Sequence, residues 1–372
     1  MSATINPLAN PKGVKKLCEL CQKPAKLQCT KCLVTFYCGP DHQDTDWTSI
    51  HEKVCPLLVS IHTPAPFGTL QSDQDHHHKE TVKKQEYLIE IAHIEAQRWV
   101  SKKRFQDVLP AALLFLRWAM RVYGTCAVEL VPAYLLLAQA NIGLGSLSQA
   151  HDYLSKAEWT VMKTPGCSHT VLHQLHRTLG RLHAAMGKYT SALTHFANDV
   201  YYASEMFGLD STVTSGGYFL MADVFLKQNK PDIALSLYTE VASSWHTHLC
   251  KLMDDISQSG TQPEECFDEA QCVEADQMLR CILEFEEQCV KPRPDQAAML
   301  AHSLAMLWLL CNNYTKVNNK DRLIKKLHII HLQHAPEFHT HLLTTALHNQ
   351  IIVNNQTSPK CLIKIKVLRW NV

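Results

Sequence analysis

The sequence predicts an all-α protein in which a small two-zinc finger at the N-terminus precedes an α-solenoid of helical hairpins. Two observations predict this fold. Eight cysteine and histidine residues with the spacing of metal ligands lie between residues 18 and 55, and a helical apolar pattern returns every 42 residues from about residue 83. With 372 residues and 46% hydrophobic composition, the chain is long enough to bury two structural units.

Changes in composition divide the chain into five predicted segments. The stretch containing Pro64, Pro66 and Gly68 has the composition of a linker, and from residue 318 the sequence is basic and no longer matches a repeat. The segments are an N-terminal segment 1–17, a zinc finger 18–55, a linker 56–82, helical repeats 83–317 and a divergent basic C-terminal tail 318–372.

The overall charge argues against several classes of partner. Lysine and arginine number 36 against 35 aspartate and glutamate, so the chain does not have the composition of a nucleic-acid-binding or polybasic membrane-binding protein. No run reaches the roughly 18 apolar residues that a membrane span needs, and no signal peptide is visible. We therefore expect an intracellular, cytoplasmic protein with no nucleic acid, membrane or small-molecule partner.

The cysteines indicate metal binding. In an intracellular chain, cysteines at this density favour metal over disulfides, and six of the fifteen lie between residues 18 and 55. Eight ligands make two tetrahedral zinc sites with no open position, which is typical of structural zinc. Spacing alone leaves open whether the ligands pair sequentially or interleave. The predicted ligands are Cys18, Cys21, Cys29, Cys32, Cys38, His42, His51 and Cys55.

The residues between the ligands resemble the MYND zinc finger. The segment 36–38 reads Phe-Tyr-Cys, and it is followed by His42-Gln43, Trp47 and a His-x3-Cys ending. The resemblance implies interleaved ligands and binding of short proline-containing peptides, not DNA. One difference is that His42 stands where most members have cysteine. By this resemblance, one zinc takes Cys18, Cys21, Cys38 and His42, and the other takes Cys29, Cys32, His51 and Cys55.

The helical part is internally repetitive. Ala96, Trp99, Phe105 and Val108 return 42 residues later, and again at two further shifts of 42. The copies resemble the tetratricopeptide repeat, a helix-turn-helix unit of about 34 residues, so the longer period implies longer helices or linkers. The later positions are Ala138, Asn141, Leu147 and Ala150, then Gly180, His183, Tyr189 and Ala192, then Ala222, Phe225, Pro231 and Ala234.

Stacked hairpins of this kind bind extended or helical peptides along the surface of their first helices. The repeat register places six polar residues on that surface as candidates for partner binding, although exposed polar residues of a solenoid are more often simply solvated. They are Gln139, Gln174, Arg177, Arg181, Asp223 and Lys227.

No catalytic motif is recognisable, so we interpret the chain as a non-enzymatic adaptor. Protein-lysine methyltransferases also join a MYND finger to helical repeats, but the motifs of their catalytic SET domain are missing here. A transcriptional co-repressor adaptor is the remaining alternative, because other MYND proteins have that role. We expect the helical repeats to stay folded when Cys29 and Cys32 are replaced.

Two longer stretches, Glu129-Leu-Val-Pro-Ala-Tyr and Thr214-Ser-Gly-Gly-Tyr-Phe, are similar to MYND-and-repeat proteins of motile cilia and sperm flagella. This resemblance implies an adaptor of the axoneme, bound to other tetratricopeptide-repeat and dynein-associated proteins and needed for flagellar assembly or motility.

Overall fold

A computed structural model of the chain describes residues 2–5, 16–63, 71–259, 269–289 and 293–311. The predicted basic tail 318–372 lies outside the described residues. The chain divides into two compact units, one of residues 1–244 and 269–274, the other of residues 245–268 and 275–372. Both are predominantly α-helical over their described parts, as the sequence predicts.

The N-terminal finger combines short strands and short helices. Three strands form an antiparallel sheet in the order β1-β2-β3, with Ala3 opposite Gln28 and Gln28 opposite Phe36. A π-helical turn joins two helices that follow the sheet. The elements are β1 (Ser2–Thr4), β2 (Leu27–Cys29), β3 (Phe36–Tyr37), α1 (Pro40–Asp46), the π turn (Trp47–His51) and α2 (Glu52–His62).

The rest of the first unit consists of antiparallel helical hairpins. Helix α3 packs against α4, α5 against α6 and α7 against α8, and the first helices α3, α5, α7 and α9 also contact their neighbours in that order. The helices are α3 (Gln71–Ser101), α4 (Phe105–Tyr123), α5 (Val131–Gly143), α6 (Leu147–Lys163), α7 (His169–Ala185), α8 (Tyr189–Phe207), α9 (Thr212–Lys227) and α10 (Pro231–Ser259), of which residues 231–244 belong to this unit.

The turns recur with the sequence period. The second helices α4, α6, α8 and α10 begin at residues 105, 147, 189 and 231, each 42 after the last. The turn before each contains one residue with positive φ, a conformation that favours glycine because a Cβ crowds the backbone. Those residues are Lys103, Gly145, Gly187 and Asn229, with φ of 56°, 77°, 74° and 59°.

The recurring left-handed residue gives a stability prediction. The Gly187→Ala variant is expected to lose about 1–2 kcal/mol of unfolding free energy, because φ is +74° there and no atom surrounds the new methyl group. Lys103→Gly should change stability by less than about 1 kcal/mol, in the opposite direction. Urea denaturation measures both effects. Gly39→Ala is the matched control, since φ is −166° and the space is equally open; an equal loss there would contradict the strain argument.

Close helix approach depends on small residues. A Cβ on Gly180 of α7 would lie 2.4 Å from Cε1 of Phe196 on α8, and one on Gly143 would lie 2.3 Å from the ring of Phe105. The aromatic ring therefore fills the space that the missing side chain leaves. A larger residue at Gly180 would force apart the two helices of one hairpin, and one at Gly143 would force apart α4 and α5 of neighbouring hairpins.

The predicted linker 56–82 is largely helical over its described residues. Residues 56–62 continue α2, and α3 already begins at Gln71. Leu58 is buried, and Leu57 and Ile61 pack on the same core. Apolar side chains at helical spacing therefore hold this stretch in place despite its polar composition.

The second unit is held by a buried polar contact as well as by apolar packing. Asp276 Oδ1 accepts hydrogen bonds from Arg280 Nε at 2.8 Å and from the indole Nε1 of Trp308 at 2.6 Å. Helix α11 spans Glu269–Gln288, and α12, Pro294–Leu310, is buried along its C-terminal half. Among the described helices, none has the length and apolarity to cross a bilayer.

Candidate metal centre

Two tight turns present the four N-terminal cysteines. In the knuckles 18–21 and 29–32, the residue after the second cysteine has a left-handed conformation, Gln22 at φ 56° and Leu33 at φ 62°. In each turn the backbone N–H of this residue donates to the carbonyl oxygen of the first cysteine, at 3.0 Å and 3.1 Å. The turn points both sulfurs of a knuckle to the same side.

The other four ligands come from the strand and helices that follow. Cys38 comes directly after β3, and His42 lies in the first turn of α1. His51 ends the π turn and Cys55 lies in α2, four residues later, so both side chains are on one helix face. The π turn shifts the helical register just before His51, and such π-bulges are frequent at functional sites.

The first ligand set is formed by Cys18, Cys21, Cys38 and His42, and only Cys18 among them is fully buried. His42 Nδ1 lies 3.4 Å from Cys18 Sγ and 3.2 Å from Cys38 Sγ. Cys21 Sγ lies 3.6 Å from Cys38 Sγ.

The second ligand set is formed by Cys29, Cys32, His51 and Cys55, and all four are buried. Cys29 Sγ lies 4.0 Å from Cys55 Sγ, and Cys32 Sγ lies 3.7 Å from His51 Nε2. The hydroxyl of Thr35 is 3.1 Å from Cys32 Sγ, close enough to donate to a thiolate there.

These separations fit zinc. With Zn–S bonds of about 2.3 Å and Zn–N bonds of about 2.0 Å, a tetrahedron places its ligand atoms about 3.5–3.8 Å apart. Disulfides would need sulfurs about 2.05 Å apart, so neither sulfur pair is one. The prediction of two structural zinc ions is confirmed as two Cys3His sites with interleaved ligands. Because four protein ligands complete each tetrahedron, the sites have no position for a substrate.

Burial and a neighbouring carboxylate prepare His51 to bind a metal. Burial lowers the pKa of His51 to about 4, so the imidazole is neutral and its Nε2 lone pair can bind a metal. Its Nδ1 faces Asp46 Oδ2 at 3.6 Å, and the hydroxyl of Tyr37 donates to the same oxygen at 2.6 Å. Burial raises the pKa of Asp46 to about 6, against the effects of Tyr37 and Arg117. Asp46 and Tyr37 therefore orient the imidazole ring of His51 from its Nδ1 side, opposite the Nε2 atom that binds the metal.

The finger is fixed to the first helical hairpin by polar contacts. Ser49 Oγ donates to the carbonyl oxygen of Asp107 at 2.5 Å, and the indole Nε1 of Trp99 donates to the carbonyl oxygen of Ser49 at 3.0 Å. The guanidinium of Arg117 on α4 binds both the backbone oxygen of Glu19 and its carboxylate, the latter at 2.6 Å.

Apolar packing continues across the same junction. Ile50, Val54 and Leu58, which face inward at helical spacing, belong to the buried cluster that also contains Leu88 and Ala111 of the first hairpin. Cys29, Cys32 and Cys55 are part of this cluster. The second zinc site is therefore built into the core that joins the finger to α3 and α4.

The polar contacts between the finger and α4 can be tested by mutation. Arg117→Met should lower the unfolding free energy by about 1–2 kcal/mol and increase hydrogen exchange in the finger, because Glu19 loses both of its contacts with α4. Zinc content should remain at two. Lys79→Met, exposed on α3, is the control and should change stability by less than about 0.5 kcal/mol. Unchanged exchange in the finger would show that Arg117 does not hold it.

Three of the six predicted partner-binding residues lie on α5 and α7. Gln139 is half-buried, with Nε2 3.4 Å from Thr178 Oγ1, and Gln174 is exposed. The guanidinium of Arg177 donates to Asp199 Oδ2 at 2.8 Å and to the carbonyl oxygen of Val213 at 2.6 Å. Arg177 therefore has a structural contact, which the sequence did not indicate.

The other three lie on α7 and α9. Arg181 Nη2 is 3.9 Å from Glu274 Oε1. Asp223 Oδ1 accepts a hydrogen bond from the hydroxyl of Tyr238 at 2.6 Å, and burial raises its pKa. Lys227 is exposed at the end of α9. A partner role for all six residues stays a prediction.

Comparison with known proteins agrees with the zinc finger that the sequence predicts. Residues 18–55 match the family described as the MYND finger. A solved structure, described as the crystal structure of BtubC (BKLC) from P. vanneervenii, matches at 15% sequence identity, covering 67% of this chain and 94% of that chain, with a TM-score of 0.31. The chain thus carries an N-terminal MYND finger with two Cys3His zinc sites, followed by α-helices packed in adjacent pairs.

Proposed function

We propose that this chain is a non-enzymatic adaptor that binds other proteins through its helical surface and its finger. The observation that carries the proposal is the closed coordination of both zinc sites, which assigns the metal to structure, together with the fixed position of the finger on the first hairpin. MYND fingers mediate protein–protein interactions, and stacked helical hairpins present extended surfaces for peptides.

We further propose the axoneme of motile cilia or sperm flagella as its location. Support comes from the resemblance carried by residues 129–134 and 214–219. The expected partners are other tetratricopeptide-repeat and dynein-associated proteins, and the expected role is in flagellar assembly or motility. Short proline-containing peptides are the expected ligands of the finger.

A fractionation experiment tests the location. The tagged chain would be purified from ciliated or testicular cells, separated into detergent-soluble and axonemal fractions, with partners identified by mass spectrometry. Enrichment in the axonemal fraction with dynein-related proteins is the expected result. A soluble nuclear pool with co-repressor partners would instead support the alternative, a transcriptional co-repressor adaptor.

Two variants in the same experiment test whether partners bind through the helical surface. Gln174→Ala/Lys227→Glu changes two exposed predicted positions and should reduce recovery of the partners. Asp152→Ala on α6, also exposed, should leave recovery unchanged. Equal recovery with both variants would remove these two residues from the proposed partner surface.

A further inference from the structure

The first turn of α11 lies against helices that precede it by more than 80 residues. Glu269 Oε2 is 2.7 Å from Arg98 Nε, and its Oε1 is 2.6 Å from Lys102 Nζ. Five residues on, Glu274 Oε1 is 3.9 Å from Arg181 Nη2. Two carboxylates of one helical segment therefore contact cations of α3, of the turn that follows it and of α7.

The cations belong to one positively charged area, which we call the cationic surface and define by Arg98, Lys102 and Arg181. Lys103 and Lys227 are near enough, together with Arg181, to oppose the rise in the pKa of Asp223. The area thus collects positive charge from α3 and the turn after it, from α7 and from α9.

The anionic groups among these cations are already bound. Glu95 contacts Lys53 and also Arg98, the latter at 3.6 Å, and Asp223 is hydrogen-bonded to Tyr238. Without the two glutamates of α11, the surface would therefore carry an excess of positive charge, which is complementary to an acidic segment.

The ion pairs between α11 and the cationic surface are individually weak. The side chains of Glu269 and Glu274 are 51% and 59% exposed, and exposed ion pairs contribute little to stability. Desolvation lowers the pKa of Arg181, whereas Glu274 raises it, so this guanidinium gains from a carboxylate at its side. A second acidic segment that offers the same carboxylates can replace the first at small cost.

We propose that the cationic surface is the docking site for an acidic helical segment of a partner protein, and that residues 269–274 occupy it in the absence of that partner. The inference deepens the proposed adaptor function and rests on it. It names the chemistry of the partner, a helix bearing carboxylates about one and a half turns apart, and it makes the start of α11 an internal competitor.

The test uses the full chain and a defined probe, a fluorescein-labelled synthetic peptide of residues 269–283 with Cys272→Ser and Cys281→Ser. Fluorescence anisotropy measures its binding to the wild type and to Glu269→Gln/Glu274→Gln, in which the internal competitor is neutralised. The variant is expected to bind the probe at least about tenfold more tightly, equivalent to about 1.4 kcal/mol. Raising the salt concentration should weaken binding.

Further variants in the same background locate the site. Arg98→Gln/Lys102→Gln/Arg181→Gln should lose the gain, whereas the control Lys79→Gln/Lys163→Gln, which removes two exposed lysines elsewhere on α3 and α6, should keep it. Circular dichroism verifies that each variant is folded. No gain on neutralising the glutamates, equal binding of a scrambled peptide, or equal loss in the lysine control would each overturn the proposal.

A measurement on the wild type is independent of any variant. In a reducing buffer, which opens the disulfide of Cys272, excess probe should increase hydrogen exchange at residues 273–278, the first amides of α11 whose acceptors lie well inside the helix. Unchanged exchange there at saturating probe would overturn the proposal. Because the probe comes from the chain itself, these results do not depend on cellular location. Failure of the axonemal fractionation would leave them unchanged, and their failure would leave the fractionation unchanged.

Discussion

Replacing Cys29 and Cys32 by serine is expected to remove one of the two zinc ions and to loosen the first helical hairpin as well as the finger. The two thiols belong to the buried cluster that continues into α3 and α4. Structural zinc contributes about 10–16 kcal/mol of apparent binding free energy in small fingers, comparable to the whole stability of a domain. The loss should therefore extend beyond the finger, further than the sequence alone predicts.

Zinc content by mass spectrometry and hydrogen exchange along α3 and α4 measure this result. The matched control is Cys18→Ser/Cys21→Ser, which removes two thiols from the more exposed first site. That pair should also cost one zinc, but exchange in α3 and α4 should change less. Two zinc ions retained in Cys29→Ser/Cys32→Ser would contradict the ligand assignment, and full protection of α3 would contradict the shared core.

The Asp199→Ala variant is expected to lose about 3–5 kcal/mol of unfolding free energy. Asp199 is fully buried on α8, where it accepts from Arg177 Nε at 2.8 Å and faces His173 Nδ1 at 3.3 Å. Arg177 also binds the carbonyl oxygen of Val213 near the start of α9. One carboxylate therefore fixes the arginine that joins α7, α8 and α9, and its removal leaves a half-buried charge without its anion.

Urea denaturation with a double-mutant cycle checks this prediction. Arg177→Met/Asp199→Ala should lose less than the sum of the two single losses, because residues in one ion pair are coupled. The exposed Asp152→Ala is the matched control and should stay within about 0.5 kcal/mol of the wild type. Additive losses, or a loss below about 1 kcal/mol for Asp199→Ala, would show that the carboxylate does not hold the three helices.

The zinc centre and the hairpin turns could be predicted because their signals are local. Each knuckle brings its two cysteines together within four residues, and the 42-residue period of the apolar pattern is the interval at which the second helices begin. Ligand spacing alone could not decide which four ligands share a zinc ion. That assignment needed the resemblance of the residues around Trp47 to the MYND pattern.

The attachment of the finger could not be predicted, since its contacts are distant in sequence. Arg117 and Glu19 are 98 residues apart, and no periodic pattern connects them. One signal was present: Val54, just before the last ligand, and Leu58 and Ile61 beyond it have helical spacing, so the apolar face of α2 continues into the stretch that composition predicts as a linker. Arg177 likewise looked available for a partner because its acceptor, Asp199, lies on another helix.

The shared core of finger and first hairpin has a consequence for the edge of the helical array. Terminal units of stacked hairpins expose an apolar flank, and many such proteins cover it with a specialised end unit that has a polar outer face. Here the metal-bound module covers Leu88 and Ala111 and takes that place. We expect a truncation beginning at α3 to uncover this flank and self-associate, and we expect the solubility of the helical body to fall when the finger lacks zinc.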